Sequence, residues 1–317
     1  MPQPTLGDVH VDAALTDLSV RFTQQKDEFI ADQVFPTVGV QNRSDVYYTF
    51  DRQFWYKTDA ELRGPGSESA GSGFEQSTDN FSCDVYALHK DIDDQTRANA
   101  DSQIQLDTQA SEFLAQHMLQ RREQDWVSTF FTTGVWTTDI TPTNTWDDYA
   151  NGDPIQDLRT GVIAMKELTA YRPNTLVLGA HVWDKLQDHP DFLDRIKYTE
   201  KAIMGPDLLA SMLRIDRVLI AESVANTAAN EGETASYSFN FGNHALLLHV
   251  ASSPGLNTPS AGYTFKWNGL FGGGSNGIRV KRFRLERNAS DRIEAEEAID
   301  QKLVSAELGY FFNAAVA

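Results

Sequence analysis

The sequence of 317 residues lacks several features that would assign it a reaction. It contains one cysteine, Cys83, which excludes an intrachain disulfide and a cysteine-rich zinc or iron–sulfur centre within one chain. The HExxH metal motif, the glycine-rich phosphate loop and the nucleophile elbow are all missing from the sequence. We therefore expect a protein that is not an enzyme, with no catalytic residues, no metal site and no cofactor.

Long apolar runs are also missing. No window approaches the roughly 18 consecutive apolar residues that a membrane-spanning helix needs. The first residues lack the basic start and apolar stretch of a secretory leader. We expect no contact with a membrane and synthesis in the cytoplasm.

Basic residues are scarce relative to acidic ones. The chain carries 27 Lys and Arg against 45 Asp and Glu, a net charge of −18. A protein that holds DNA by its phosphates needs a basic excess or a basic stripe, and the local candidate is RVKRFR at 279–284. We interpret this segment as a strand with one solvated or subunit-facing charged side; nucleic-acid contact is the alternative.

What the chain does have is core material and mixed periodicity. Apolar residues make up 41% of it, with 18 Phe, 10 Tyr and 6 Trp, which is enough for a substantial core. Helical spacing predicts the longest helix within 91–134, and Asp153 followed by Pro154 predicts the start of another that continues to Tyr171. Alternating residues predict strands at 46–56, 80–89, 263–267, 278–286 and around 302–310. The acid pair Glu296 and Glu297 is expected to be solvated.

A long hairpin is predicted over residues 43–90. Its two strands flank the segment Arg63-GPGSESAGSG-Phe74, whose glycines, proline and serines cannot hold regular structure. The glycines do not match a phosphate-binding loop. Two strands alone are marginally stable in water, so a hairpin of this length needs a surface to rest on.

The order of these parts resembles the tailed-bacteriophage major capsid proteins. The resemblance rests on a glycine-tipped hairpin, a long helix, the segment PNTLVLG…VWDKL…RIK within 172–199, and the C-terminal AELGYFF. It implies an α+β, Hong Kong 97-type capsid fold. Its parts would be an N-terminal arm at 1–42, an extended loop (E-loop) at 43–90, a spine helix with part of the peripheral domain at 91–155, an axial domain at 156–262, and return strands completing the peripheral domain at 263–317.

That resemblance also implies partners. Pentamers and hexamers of the chain would close an icosahedral shell around packaged DNA, without sequence-specific binding to it. The sequence lacks the long N-terminal scaffolding domain of some relatives, so a separate scaffolding protein is expected, with a cleaved precursor as the alternative. A portal and a decoration protein are the further expected partners. The protein would reside in the virion after assembly in the host cytoplasm.

The residues expected at the subunit interface lie near the far end of the hairpin, because aromatic anchors and arginines dominate the energetics of interfaces. They are Arg52, Phe54, Trp55, Tyr56, Arg63 and Phe74. The alternative is that these aromatic side chains belong to the core of their own subunit.

Other classes remain open at this point. An encapsulin-type nanocompartment shell protein shares the fold and encloses no DNA. An acidic cytosolic α/β enzyme would need a fixed polar cluster, which the sequence does not reveal. A tail tube or portal subunit would differ in helix content.

Overall fold

A computed structural model describes residues 24–50, 52–100, 105–196, 205–227, 234–255, 258–271 and 278–317. The first 23 residues of the expected N-terminal arm lie outside the described residues.

Strands and helices alternate irregularly along the chain. The strands are β1 Thr37–Val40, β2 Ser44–Phe50, β3 Gln76–Ser82, β4 Asp84–Asp93, β5 Thr138–Ile140, β6 Thr175–Gly179, β7 Arg217–Ala221, β8 Val224–Asn226, β9 Tyr237–Phe239, β10 Ala245–Leu248, β11 Gly262–Trp267, β12 Arg279–Leu285, β13 Ser290–Leu303 and β14 Gly309–Phe312. The helices are α1 Ala31–Val34, α2 Arg52–Trp55, α3 Asp94–Asn99, α4 Leu106–Phe130, α5 Pro154–Thr169, α6 Ala180–Gln187, α7 Pro190–Ile196, α8 Pro206–Leu213 and α9 Asn268–Phe271.

One five-stranded sheet, in the order β5-β14-β10-β6-β7, forms the centre of the body. Every residue of β6 and β10 is buried, as expected for strands with both faces covered. Helices α5 to α8 contribute to the apolar cluster on one face, and α4 packs on the other through Trp126 and Phe130. The apolar run TLVLG of β6 is therefore fully used inside the subunit.

Helix α5 crosses this sheet closely and begins as predicted. The Asp153 carboxylate accepts a hydrogen bond from the backbone N–H of Gln156 at 2.9 Å, and Pro154 is the first helical residue. A Cβ at Gly161 would lie 3.1 Å from side-chain atoms of Leu247, Tyr310 and Phe312, so glycine permits the close approach. The helix ends at Ala170, which has a left-handed backbone (φ 62°).

The second five-stranded sheet has the path β1-β11-β13-β12, with β4 paired to β13. The cations of its basic strand β12 are paired with acids of the same chain, while four of the seven residues of the strand are exposed. The expected solvated or subunit-facing charged side, and the alternative of nucleic-acid contact, stay predictions. The short pairs between nitrogen and oxygen atoms are Arg279–Glu296 at 2.6 Å, Lys281–Glu296 at 2.7 Å, Arg282–Asp291 at 2.6 Å and Arg284–Asp94 at 2.6 Å.

Strand β13 corrects two predictions. The sequence predicted a strand only around 302–310, whereas β13 runs for 14 residues and pairs with β4, β11 and β12. Glu296 and Glu297, expected in solvent, are buried. They are tolerated because Glu296 faces Arg279 and Lys281, while Glu297 pairs with Arg122 of α4.

The predicted hairpin and long helix are also shorter than expected. The first strand ends at Phe50 and is followed by the helical turn α2, and the predicted return strand is divided at Cys83 into β3 and β4. Only β3 pairs with β2, because β4 pairs with β13. Strand β4 continues to Asp93, where the sequence predicted helix, since Ile92 alternates with polar neighbours and is buried. The expected domain boundaries stay predictions.

The segment before β1 is held against α4 by buried charges. The Glu123 carboxylate accepts hydrogen bonds from the backbone N–H groups of Ile30 at 3.0 Å and Ala31 at 2.9 Å. The Arg122 guanidinium lies between Asp32 and Glu297 and donates to both carboxylates. Burial raises the pKa of Glu123 to about 7.

Candidate subunit interface

The hairpin of β2 and β3 extends from the second sheet. It is antiparallel, with a register that runs from Ser44 opposite Ser82 to Phe50 opposite Gln76. Residues 51–75 connect the two strands, a connection far longer than the two to five residues of an ordinary hairpin loop. The loop must therefore find its support outside the ladder.

Aromatic stacking fixes the base of the hairpin to the body. The ring of Phe265 in β11 lies 4.3 Å from that of Phe81 and 5.7 Å from that of Tyr47. The Tyr47 hydroxyl donates to the Asp79 carboxylate across the hairpin at 2.8 Å. Burial and that carboxylate raise the pKa of Tyr47, and the same hydrogen bond lowers the pKa of Asp79.

Beyond its base the hairpin is exposed over a long stretch of sequence. Every residue from 55 to 80 is exposed, including Leu62, which is fully exposed. A polypeptide arm with large apolar side chains on its surface is a recognised mark of an interaction site.

Trp55 and Phe74 come together on this arm. Their ring centroids are 5.5 Å apart, although 18 residues lie between them in the sequence. Trp55 is 60% exposed and Phe74 is 59% exposed. Phe54 is half-buried, with the Lys57 ammonium 5.3 Å from its ring centroid. These three aromatics therefore share one part of the arm.

The other predicted interface residues have different surroundings. The Tyr56 hydroxyl donates to the backbone carbonyl of Thr169 at 2.6 Å, which ties the arm to the end of α5 in its own subunit. The Arg63 guanidinium donates to the carbonyl of Ser67 at 2.6 Å and stiffens the turn at the tip. Arg52 begins α2, but its side chain lies outside the described residues.

Sequence reasoning missed three exposed apolar residues of the arm. Leu62 is the one large aliphatic residue between Lys57 and Gly73, and that isolation in a polar segment was the available signal. Val46 and Tyr48 are exposed on the same face of β2, opposite to the face of Tyr47. They extend the apolar surface from the tip toward the base.

The arm offers surface, not reactive chemistry. Among the described residues, no group of three or more histidine, cysteine, aspartate or glutamate side chains is placed to hold a metal ion. Within that same part of the chain, no helix is long and apolar enough to cross a membrane.

Comparison with known proteins defines the class of the fold first. The capsid of the cyanophage P-SCSP1u has the same fold with a TM-score of 0.63 and 11% identity, over 100% of this chain and 96% of that one. A phage-related protein from Bordetella bronchiseptica gives a TM-score of 0.68 with 17% identity, over 92% of this chain and 94% of that one. An encapsulin from Synechococcus elongatus is less similar, with a TM-score of 0.50 and 9% identity over 96% and 95% of the two chains. The predicted Hong Kong 97-type capsid fold is confirmed.

A curated relative then points to the particular kind of capsid protein. The chain is 24% identical to the major capsid protein of Burkholderia phage BcepMu, over 96% of each sequence. No protein-family model matches the sequence. The sequence-based resemblance to phage major capsid proteins is confirmed, since that is the name of the curated relatives.

Proposed function

We propose that this chain is the major capsid protein of a tailed double-stranded DNA phage and that it assembles as pentamers and hexamers into an icosahedral shell. In this proposal the hairpin arm of residues 43–90 lies on a neighbouring subunit. The observation that carries the proposal is the continuous exposure of residues 55–80 on a chain that has the capsid fold.

Burial energetics supports a neighbour as the support of the arm. Trp55, Leu62 and Phe74 present apolar surface to solvent, and covering a side chain of this size contributes about 1.5–3 kcal/mol. The stacked pair of Trp55 and Phe74 also matches the aromatic anchors that dominate interfaces. The described contacts of the arm with its own subunit include the stacking at its base and the hydrogen bond of Tyr56, while Trp55, Leu62 and Phe74 stay exposed.

The shell would enclose its DNA without gripping it. The cations of β12 are paired with Asp94, Asp291 and Glu296 of the same chain, so they have little charge left for phosphates. The net charge of −18 acts in the same direction. A separate scaffolding protein, a portal and a decoration protein are the further partners that we propose.

The test compares the double variant Trp55→Ala/Phe74→Ala with Tyr237→Ala. Tyr237 is an exposed aromatic on β9, outside the arm. We expect the double variant to remain a folded, soluble subunit that fails to close shells in negative-stain micrographs, while the Tyr237 variant forms normal particles. Normal shell yield from the double variant would count against the arm as an interface.

An encapsulin-type compartment is the second candidate, favoured only by the weaker structural match. Nuclease treatment of purified particles separates the two. Protected genome-length DNA indicates a phage capsid, whereas particles that hold a protein cargo and no DNA indicate a compartment.

A further inference from the structure

We propose that the hairpin arm has its shape before it meets another copy of this chain, and that Tyr56 is the positioning residue that sets the direction of the arm. The inference rests on the proposed function and deepens it, because it concerns how the free subunit presents the arm to a neighbour.

The connection between β2 and β3 consists of two legs that side chains hold together. At its root the rings of Trp55 and Phe74 are in contact, with 5.5 Å between their centroids. Further out, the Ser72 hydroxyl donates to the Asp59 carboxylate at 2.7 Å. No strand lies within residues 56–75, all of which the structure describes, so these contacts and not a β-ladder join the two legs.

A turn closes the tip of the arm. The Arg63 guanidinium donates to the carbonyl of Ser67 at 2.6 Å. The Gly64 carbonyl accepts from the hydroxyl of Ser67 at 2.8 Å and from its backbone N–H at 3.1 Å. Gly66 has a φ of 83°, a conformation that glycine adopts at little cost. The contacts at the root, the middle and the tip therefore join the legs in one antiparallel order, and the arm has a defined shape although it lacks regular secondary structure.

Tyr56 attaches the root of the arm to the body. Its hydroxyl donates to the backbone carbonyl of Thr169, the last residue of α5, at 2.6 Å. The last four carbonyls of an α-helix have no partner within the helix and form the negative end of its dipole, so a hydroxyl donor is favoured there. Thr169 is buried, whereas Tyr56 is 54% exposed. The bond therefore satisfies a covered acceptor and leaves much of Tyr56 on the surface.

Two anchors fix a direction that one anchor would leave open. The first is the stacking of Phe81 on Phe265 of the second sheet, at the base of the hairpin. The second is the bond of Tyr56 to α5, which packs on the central sheet. A hairpin held only at its base can swing about that point, whereas the second anchor holds it in one orientation. Because that anchor is a single polar contact, the apolar surface of the arm stays exposed.

Prior order lowers the cost of docking the arm. Ordering a flexible connection of this length on another subunit would remove backbone and side-chain freedom at the moment of contact, which weakens binding. The contacts within the arm and the Tyr56 bond remove part of that freedom in the free subunit. Loss of the Tyr56 hydroxyl should therefore leave the docking surface intact and make its correct presentation less frequent.

The test is Tyr56→Phe in the full chain, which removes the hydroxyl and keeps the ring. The matched control is Tyr237→Phe, which removes the same group from an exposed tyrosine on β9. We expect the concentration at which half of the chains are in shells to rise about two- to tenfold in Tyr56→Phe, the range for the loss of one hydrogen bond, and to stay unchanged in the control. Raising the concentration should restore normal shells, because the aromatic surface is intact. Sedimentation velocity and negative-stain microscopy measure the products.

A second readout follows the arm itself. A dye attached through Ser69→Cys at the exposed tip reports the mobility of the arm by its fluorescence anisotropy, in subunits kept below the concentration of assembly. The native Cys83 is buried and does not compete for the dye. The anisotropy should fall in Tyr56→Phe, because the arm can then swing about its base. Ser72→Ala, which removes the contact with Asp59, should shift both readouts in the same direction.

Tyr56→Phe with anisotropy and assembly equal to those of Tyr237→Phe overturns the inference. Assembly of Tyr56→Phe at a lower concentration than the parent chain also overturns it, because the bond would then hold the arm back from its neighbour. A more mobile arm with unchanged assembly would show that prior order does not matter, which is equally fatal. Failure of the parent chain to form any ring or shell contradicts the proposed function itself, which keeps the two failures distinct.

Discussion

The body of the subunit and its hairpin arm use apolar residues in opposite ways. In the body, defined as the two five-stranded sheets and their helices, both faces of the central sheet are covered, and Leu247 and Phe311 are fully buried. On the arm, Leu62 and Trp55 project into solvent. The same residue types therefore stabilise the subunit in one place and remain available for association in the other.

Because of this difference, the free energy of unfolding of the subunit and the free energy of its assembly should depend on different residues. Removing a side chain from the body should lower the free energy of unfolding of the isolated subunit. Removing one from the arm should leave that quantity nearly unchanged and lower the free energy of assembly. An arm variant that strongly lowers the free energy of unfolding, or a body variant that leaves it unchanged, would contradict this comparison.

The largest effect is expected for Arg122→Ala in the body. The substitution leaves Glu297, which is 1% exposed, and Asp32 without the guanidinium that lies between them. Breaking a buried ion pair on one side costs about 3–5 kcal/mol, measured here as a loss of unfolding free energy in urea. The neighbouring Arg121→Ala removes a partly exposed pair with Asp125 and the contact of the guanidinium with the Tyr86 ring, and it should cost no more than about 2 kcal/mol. Equal losses would show that the buried network is not needed.

The next effect is expected for Leu247→Ala. Leu247 lies on β10, and its side chain contacts α5 near Gly161. Truncation of a buried leucine leaves a cavity and costs about 2–5 kcal/mol of unfolding free energy. Thermal or urea unfolding of the subunit measures it. A loss below about 1 kcal/mol would mean that the neighbouring helices move in and fill the cavity.

A pH-dependent effect is expected from Glu123. Its pKa of about 7 in the folded subunit is above the roughly 4.3 of an exposed glutamate, so the folded state binds more protons between those values. The free energy of unfolding should therefore fall as pH rises from about 4.3 to 7, and the contribution levels off above that, with a total of up to roughly 4 kcal/mol. Glu123→Gln should remove this slope in urea unfolding at a series of pH values. An unchanged slope would assign the dependence to another group.

The smallest effect on stability is expected for Leu62→Ala. Because the side chain is fully exposed, the unfolding free energy should change by less than about 0.5 kcal/mol. Shell yield should nevertheless fall. A stability loss as large as that of Leu247→Ala would place Leu62 in the core of its own subunit.

Sequence patterns predicted the elements whose structure depends on residues close to them in the sequence. The Asp153 cap, with Pro154 as the first residue of the helix that follows, appears where capping chemistry predicts it. The exposed aromatic end of the arm was also predicted, because a glycine-rich tip cannot cover its neighbours.

The missed parts depend on distant partners. Strand β13 contains the segment EAEEAIDQKL, whose composition favours helix or solvent, and it becomes a buried strand because cations from β12 and α4 neutralise its acids. The return strand is divided at Cys83 because its second part, β4, pairs with β13 and not with β2. The hydrogen bond from the Arg172 guanidinium to the carbonyl of Leu213 joins the segment after α5 to α8, which no local pattern relates.

Cys83 is the one thiol in the sequence, and its side chain is enclosed beneath the base of the arm. Burial raises its pKa to about 11, so almost none is thiolate at neutral pH and alkylating reagents have little to attack. The folded subunit thus behaves as though it had no cysteine. A thiol introduced at Ser69 on the tip would be selectively labelled by an environment-sensitive dye, whose emission would follow the covering of the arm during shell growth.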